Sequence, residues 1–396
     1  MRKILNQIAI CLYSLFIKVL PGINEQKADE KTIVVFFPQQ LGDALLFSAV
    51  LQQLRAMYPE DRGYCICFIA NSAVNEFLKV AVDIGRDISF IDFDKDKLFS
   101  DFTYYKKFYK QYLMMVHHII VPNPSNSGLC IGIVCNSKYK TIAVNTYQRN
   151  ILYRIMLRGL SENDIVAQNQ LMVFELHKFL LNKLGNREYS SHIPIIKKLP
   201  QKVQGRYCVL HPGASLSYKV WPVERYLHIA DYLTSALGYD VFLCGDTSDM
   251  KYGKYIEENA KIPYKIKNYT GKTNYEKWIG VIQGAQLVIG SDSASIHIAA
   301  ASGIPSIVIC GLYDKGFFFP YVVDEILLGT IKPKCLETNM DCCRCRTISY
   351  TGAGNKACYD KVKKADVAVC VAAISVNDVK KAIHSVLKLS EWSEEI

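Results

Sequence analysis

The chain carries short, unbroken apolar runs where a half-exposed sheet would show alternation. Residues 32–37 read TIVVFF, and YCICFIAN (64–71), ISFIDF (88–93), VHHIIVP (116–122) and KTIAVN (140–145) follow. A strand that is apolar at nearly every position is buried on both faces, the situation in a parallel sheet sandwiched between helices. Helical patterns lie between most of these runs. From residue 43 to 57, Leu46, Val50, Leu54 and Met57 form one stripe, as on an amphipathic helix. Strands alternating with helices predict a doubly wound α/β architecture. One long helix is expected over residues 166–184.

The pattern then restarts. Residues 185–202 hold turn formers and no helical period, and YCVLHPGAS (207–215) is a strand with its loop. A helix is expected over 222–237, with Pro222 in its first turn and Gly238 just past its end, the usual asymmetry of helix termini. A strand (239–246), a helix (274–283) and the stretch QLVIGSDSASIHIAAASGIPSIVIC (286–310) follow. That stretch reads as a strand over 287–289, a helix over 293–301 stopped by Gly303, and a further strand after Pro305. Ser291 or Asp292 is the expected N-cap. The last element, 375–387, opens with Ser375 and Asp378 in capping-box spacing. The resulting organisation is a leader (1–28), an N-terminal Rossmann-like domain (29–190), a linker (191–206) and a C-terminal domain (207–396). Such folds bind ligands at the carboxyl ends of their strands, here in a cleft that the two domains are expected to share.

The charge balance narrows the partners. Lys and Arg total 47 against 37 Asp and Glu, a net of +10, which suits an anionic partner. The basic residues are dispersed and no nucleic-acid motif occurs, which argues against nucleic acid. The leader has an apolar stretch from Ile8 to Ile17 between basic residues. It falls short of the ~20 residues that span a bilayer and lacks a signal-peptide cleavage pattern. An interfacial helix and a helix packed on the protein's own surface both remain open. Of 14 cysteines, Cys65, Cys67, Cys208, Cys244 and Cys310 lie in strand-like runs. They read as small buried hydrophobes of a reducing, cytoplasmic compartment. Cys335, Cys342, Cys343, Cys345, Cys358 and Cys370 crowd the late region. Cys342 and Cys345 have zinc-like spacing, but no second close pair follows. Separate thiols are the expected reading, and no metal is assigned.

Polar residues gather where strands hand over to helices. In GSDSASIH (290–297) the backbone N–H groups at a helix start attract phosphate. Ser293 and Ser295 add hydroxyls, and His297, one turn on, is placed to reach the same ligand. Taken alone, this turn is better read with Asp292 as a capping residue and His297 as a core histidine. The neighbouring loops shift the balance. HPGASLSYKVWP (211–222) supplies Gly213, Ser215, Ser217 and Lys219; CGDTSD (244–249) supplies Gly245 and Asp246; YTGKTNYEKW (269–278) supplies Gly271, Lys272 and Thr273. Four such loops at one end of a sheet make a diphosphate and sugar site. In the first domain FFPQQLGDALLF (36–47) places Asp43 at a strand-to-helix turn. There it is either an N-cap or a general base for an acceptor hydroxyl.

Three blocks together resemble glycosyltransferase family 9, the heptosyltransferase family: QLGDALLFSAVLQQLRAMYP, HPGASLSYKVWPVERYLHIADYL and GAQLVIGSDSASIHIAAASGIPSIVICG. The resemblance implies a GT-B fold, two Rossmann-like domains facing a cleft, with acceptor on the first and nucleotide-sugar on the second. It implies an inverting, metal-independent transfer, with no cofactor beyond the donor. Asp43 matches the family's catalytic base, and Gln40 and Gly42 beside it fall on the acceptor side. Lys219 matches the diphosphate-contacting lysine, and Asp292, Ser293 and His297 match the donor-binding turn. Ala294 stands where the family often has glycine. The implied donor is ADP-heptose. The implied acceptor is a lipopolysaccharide core or another surface glycan, glycolipid or polysaccharide, met at the cytoplasmic face of the inner membrane. Two other readings are a non-catalytic nucleotide-sugar or glycan-binding protein on the same fold, and a metal-binding regulator organised by the late cysteines.

Overall fold

The structure, a computed structural model, describes residues 31–85, 87–145, 151–167, 171–200, 203, 205–312, 317–338, 340 and 367–389. The leader (1–28) and Cys342, Cys343, Cys345 and Cys358 lie outside the described residues. Two compact units are present. The first comprises Met1–Lys79, Asp83–Leu171 and Glu175–Ser190, and the second Val80–Val82, Met172–Phe174 and Ser191–Ile396.

The first unit is built on β1 (Thr32–Phe36), β2 (Cys65–Ala70), β3 (Ile88–Asp92), β4 (Val116–Val121), β5 (Ser137–Val144) and β6 (Ile165–Ala167). They form one sheet of order β3-β2-β1-β4-β5-β6, with every neighbouring pair parallel. The helices are α1 (Leu41–Met57), α2 (Ser72–Ala81), α3 (Lys95–Ser100), α4 (Phe102–Tyr112), α5 (Asn126–Val134), α6 (Ile151–Leu157) and α7 (Val173–Leu184). The expected single helix over 166–184 is corrected: Ile165-Val166-Ala167 pairs with β5, and α7 begins only at Val173. A short apolar run has no period to separate strand from helix, and here its β-branched residues extend the sheet edge. Cys65 is exposed and Cys67 half-buried, unlike the buried Cys208, Cys244 and Cys310. Cys65 is the first residue of β2, at the rim of the sheet.

The second unit repeats the plan with β7 (Tyr207–His211), β8 (Asp240–Leu243), β9 (Ile266–Asn268), β10 (Leu287–Ser291), β11 (Ser306–Ile309) and β12 (Lys334–Leu336). Its order, β12-β11-β10-β7-β8-β9, is that of the first sheet, and both are the 3-2-1-4-5-6 order of dinucleotide-binding folds. The helices are α8 (Val223–Ser235), α9 (Met250–Asn259), α10 (Tyr275–Gln283), α11 (Ala294–Ala301), α12 (Val369–Ala372) and α13 (Val376–Leu387). Every residue of β7, β10 and β11 is buried, as their unbroken apolar runs require. The expected capping box of α13 is present, with Ser375 and Asp378 bonded reciprocally. In α11 the run Ala299–Ala300–Ala301 is fully buried, since short side chains allow the helix to lie close on the sheet. Among the described residues no helix is long and apolar enough to cross a membrane.

Trp221 is fully buried beside Tyr226, edge to face at 5.1 Å. Its Nε1–H donates to the Ile374 carbonyl at 2.9 Å. This ties the start of α8 to the chain just before α13. Trp221→Ala is expected to lower the stability of the second unit by about 3–5 kcal/mol through lost burial and a residual cavity. Urea unfolding followed by amide circular dichroism measures this.

Candidate active site

Both sheets have a switch point, where the next strand is laid on the opposite side of the starting strand, and in each unit predicted residues lie there. In the first unit the switch falls between β1 and β4. Gln40 occupies the N-cap position of α1 with no side-chain cap, Gly42 follows, and Asp43 lies in the first turn. The helix therefore starts ahead of Asp43, so the aspartate is not the N-cap. Its carboxylate is near the positive end of the helix dipole. Asn123, 3% exposed in the loop after β4, donates through Nδ2 to Asp43 Oδ1 in a long bond of 3.4 Å. The Asn123 Oδ1 is buried without a hydrogen-bond partner. Ser125 caps α5 by accepting from the Gly128 N–H at 2.9 Å. Asn123 escaped the sequence reading. Its signal was positional: PNPS (122–125) is the polar turn that closes β4 beside β1.

In the second unit the switch falls between β7 and β10. The turns after these strands are joined by a buried ion pair, Lys219 Nζ to Asp292 Oδ2 at 2.7 Å. Lys219 ends a short 3-10 turn, Ser217–Lys219, and Trp221 two residues later anchors that turn in the core. The Lys219 ammonium also stands 5.9 Å from the centre of the Phe318 ring. Asp292 faces His297 Nε2 with its other oxygen at 4.0 Å. The expected N-cap is corrected: Ser293 occupies the N-cap position of α11, Ser291 ends β10 and meets the Tyr226 hydroxyl at 3.1 Å, and Asp292 is turned to Lys219. Ser293 makes no side-chain cap bond, and its Oγ is buried without a partner. Ala294, half-buried, is the first helical residue.

His297 does not open onto the turn as expected. It is 2% exposed, stacked on Phe319 at 5.3 Å and on Tyr321 at 5.9 Å, and its Nδ1 bonds the Tyr321 hydroxyl. A Tyr321 O–H donating to Nδ1 leaves the Nε2–H aimed at Asp292, so His297 acts as a brace for that carboxylate. Burial depresses the His297 imidazole to about 4, leaving it neutral at pH 7.

The other predicted residues make local contacts. Ser215 is exposed. Asp246, also exposed, accepts from the Ser248 N–H and hydroxyl at 2.7 and 2.6 Å. Gly271, with φ +67°, donates its N–H to the Gly245 carbonyl at 3.0 Å, which joins the turns after β8 and β9. Lys272 is exposed and donates to the Asn268 carbonyl at 3.1 Å, and Thr273 is half-buried. Two residues that the sequence reading did not assign lie beneath these turns. His211, ending β7, shares a 2.6 Å hydrogen bond with Ser295 Oγ and stands 3.6 Å from Asp249. Burial pushes His211 down to about 4 and Asp249 up to about 6, the latter with help from the Asp246 charge.

The ion pair and the histidines generate two expectations. Lys219→Met or Asp292→Asn alone strands a buried charge and is expected to cost about 3–5 kcal/mol. The double variant should lose clearly less than the sum, which a double-mutant cycle on urea unfolding reads directly. His211 and His297 have folded values below the unfolded ~6.5, so unfolding takes up protons between about 4 and that value. Stability therefore falls as pH drops from about 6.5 to about 4. Asp249, raised from 3.8 to about 6, acts with the opposite sign over part of that window. Two imidazoles outweigh one carboxylate, so a net loss of stability is expected in denaturant titrations at pH 7 and pH 4.5.

Comparison with known proteins bears on the same residues. The model of the family described as glycosyltransferase family 9 (heptosyltransferase) matches residues 165–346. Lipopolysaccharide heptosyltransferase 3 of Escherichia coli is 33% identical over 117 residues, 29% of this chain and 34% of that protein. The match thus spans about a third of the length of that curated relative. A glycosyl transferase family 9 structure from Veillonella parvula superposes with a TM-score of 0.63 at 19% identity, covering 92% of this chain and 99% of that one. E. coli ADP-heptose lipopolysaccharide heptosyltransferase II does so with 0.61 at 17%, covering 90% and 98%. At these identities the structural likeness establishes the GT-B fold. The stretch that resembles glycosyltransferase family 9, residues 165–346, holds both Lys219 and Asp292.

Proposed function

We propose that the protein is an inverting, metal-independent glycosyltransferase that moves a heptose from ADP-heptose to a lipopolysaccharide core or related surface glycan. The reading is carried by the Lys219-bearing turn at the switch point of the second unit, in contact with the turn that starts α11. Of the three similar proteins described above, two are lipopolysaccharide heptosyltransferases by name, which supports the sugar and the acceptor class. The net charge of +10 suits a phosphorylated glycolipid met at the cytoplasmic face of the inner membrane.

The chemistry follows from where charge develops. The acceptor oxygen attacks the anomeric carbon from the side opposite the diphosphate, which inverts that centre. The bond to the phosphate oxygen breaks and the nucleoside diphosphate leaves with the electron pair. Its growing negative charge must be stabilised by fixed donors. Lys219 and the N–H groups at the start of α11 are assigned that role, in place of a metal ion. An ammonium has three N–H donors, so Lys219 can hold Asp292 with one and address phosphate oxygens with another. Asp43 takes the proton of the acceptor hydroxyl as it attacks, with Asn123 fixing the carboxylate orientation. Gln40 and Gly42, beside Asp43, contact the acceptor.

The test follows nucleoside diphosphate release from ADP-heptose with a membrane glycolipid extract as acceptor, together with donor binding by calorimetry. Asp43→Asn is expected to reduce acceptor-dependent release by about 10²–10⁴-fold while leaving the donor dissociation constant unchanged. Equal release by the two proteins would remove Asp43 from the chemistry. Donor binding with no release by the wild type, across acceptors, would leave a binding protein.

A further inference from the structure

Asp249 lies where a carboxylate is least expected. It is 4% exposed, beneath the backbone of two of the turns assigned to the donor. Its Oδ2 accepts the Asp246 N–H at 3.0 Å, and the Asp249 N–H in turn donates to the Asp246 carbonyl at 3.2 Å. The backbone approaches it so closely that side chains are excluded on two sides. A Cβ on Gly213, in the turn after β7, would overlap the Asp249 carboxylate, and one on Gly245, after β8, would stand 2.6 Å from Oδ2. Both approaches are closer than real Cβ atoms tolerate, so a side chain at either position would have to displace the carboxylate between them.

A polar contact longer than a hydrogen bond leads from Asp249 to His211, and a hydrogen bond leads from His211 to the third turn. His211 Nε2 is 3.6 Å from Asp249 Oδ2, and His211 Nδ1 pairs with Ser295 Oγ at 2.6 Å. A neutral imidazole has one donor and one acceptor nitrogen. Its Nε2–H pointing at the carboxylate makes Nδ1 the acceptor of the Ser295 O–H. Ser295 is in the first turn of α11 and fully buried. Serine, histidine and aspartate in a row have the composition of a nucleophilic triad, but no substrate reaches a hydroxyl with no exposure. The row instead connects elements that are 84 residues apart in the chain.

We infer that Asp249, through His211 and Ser295, is a positioning residue that holds the turns after β7, β8 and β10 at the spacing a nucleoside diphosphate needs. The inference rests on the proposed donor site in the second unit. Asp249 touches backbone rather than ligand, so its effect is on donor affinity and not on the bond-making step.

Asp249→Asn keeps the shape and removes the charge. Calorimetry with ADP is expected to show at least a tenfold weaker dissociation constant, while kcat at saturating donor stays within about twofold. Wild-type affinity should decline more steeply than that of the variant as pH falls through about 6, since in the variant only the ADP terminal phosphate titrates there. The groups facing Asp249 in that titration are Asp246 and Lys251 on its own segment, His211 on β7 and Tyr226 on α8. Amide hydrogen exchange in the unliganded variant should rise together in residues 213–217, 245–248 and 293–295. Ser295→Ala, which cuts only the far link, should give the same pattern at two- to fivefold amplitude and guards against a misfolded Asp249→Asn. Unchanged affinity with unchanged exchange overturns the inference. So does a loss of kcat with KM intact, or a variant that keeps the wild-type decline near pH 6. Failure of the wild type to bind ADP, UDP, GDP or CDP would instead sink the proposed function. The exchange data, taken without ligand, would then still decide whether Asp249 couples the three turns.

Discussion

The Lys219–Asp292 pair is the contact on which the second half of the site depends. At 2.7 Å, with both groups nearly excluded from water, neither charge tolerates the loss of the other. The pair fixes the turn after β7 against the turn after β10 at the point where the sheet changes direction. His297 and Tyr321 brace Asp292 from one side, and the Phe318 ring flanks the lysine. A strong cation is thus placed beside a helix start before any ligand arrives. Preorganised charge of this kind requires no rearrangement when negative charge develops nearby.

Much of the architecture was legible because continuous apolar runs admit few solutions. TIVVFF, YCVLH and QLVIG are buried strands in any arrangement that hides them, and the polar residues after each must then sit at the carboxyl edge. That argument located Asp43, Lys219, Gly245, Gly271 and Asp292 on the correct edge of each sheet. It could not find β9 or β12, three-residue strands whose pattern is too short to carry a period. It also turned Val166 and Ala167, both in β6, into helix, where the neighbour β5 decided otherwise.

Pairing was the part the sequence concealed. Lys219 and Asp292 are 73 residues apart, Asp43 and Asn123 80, and His211 and Ser295 84. Each residue was a sensible donor or acceptor by itself, but nothing local tells which one it will face. This is why His297 was read as reaching outward when it is buried beside the Phe319 and Tyr321 rings. It is also why Asp249 was passed over. A carboxylate two residues into a short turn looks like a surface cap until the glycines on either side of it are seen to be shaped around it.

The contact between Trp221 and the Ile374 carbonyl has a consequence for the order in which the chain becomes structured. The core of the second unit includes Ala368, Val371, Ile374, Val379, Ala382 and Ile383 together with Trp221, Tyr226 and Leu233. Domains form as units while the chain emerges from the ribosome. The strands and helices of the first unit all precede residue 190 and can assemble while the rest is still being made. The second unit has its sheet complete at β12, and α8 can already lie on β7, β8 and α9 by then, but Trp221 and the part of α8 that packs on α13 wait until α13 is synthesised. During that interval the nascent chain leaves that apolar patch open to aggregation and to chaperone capture.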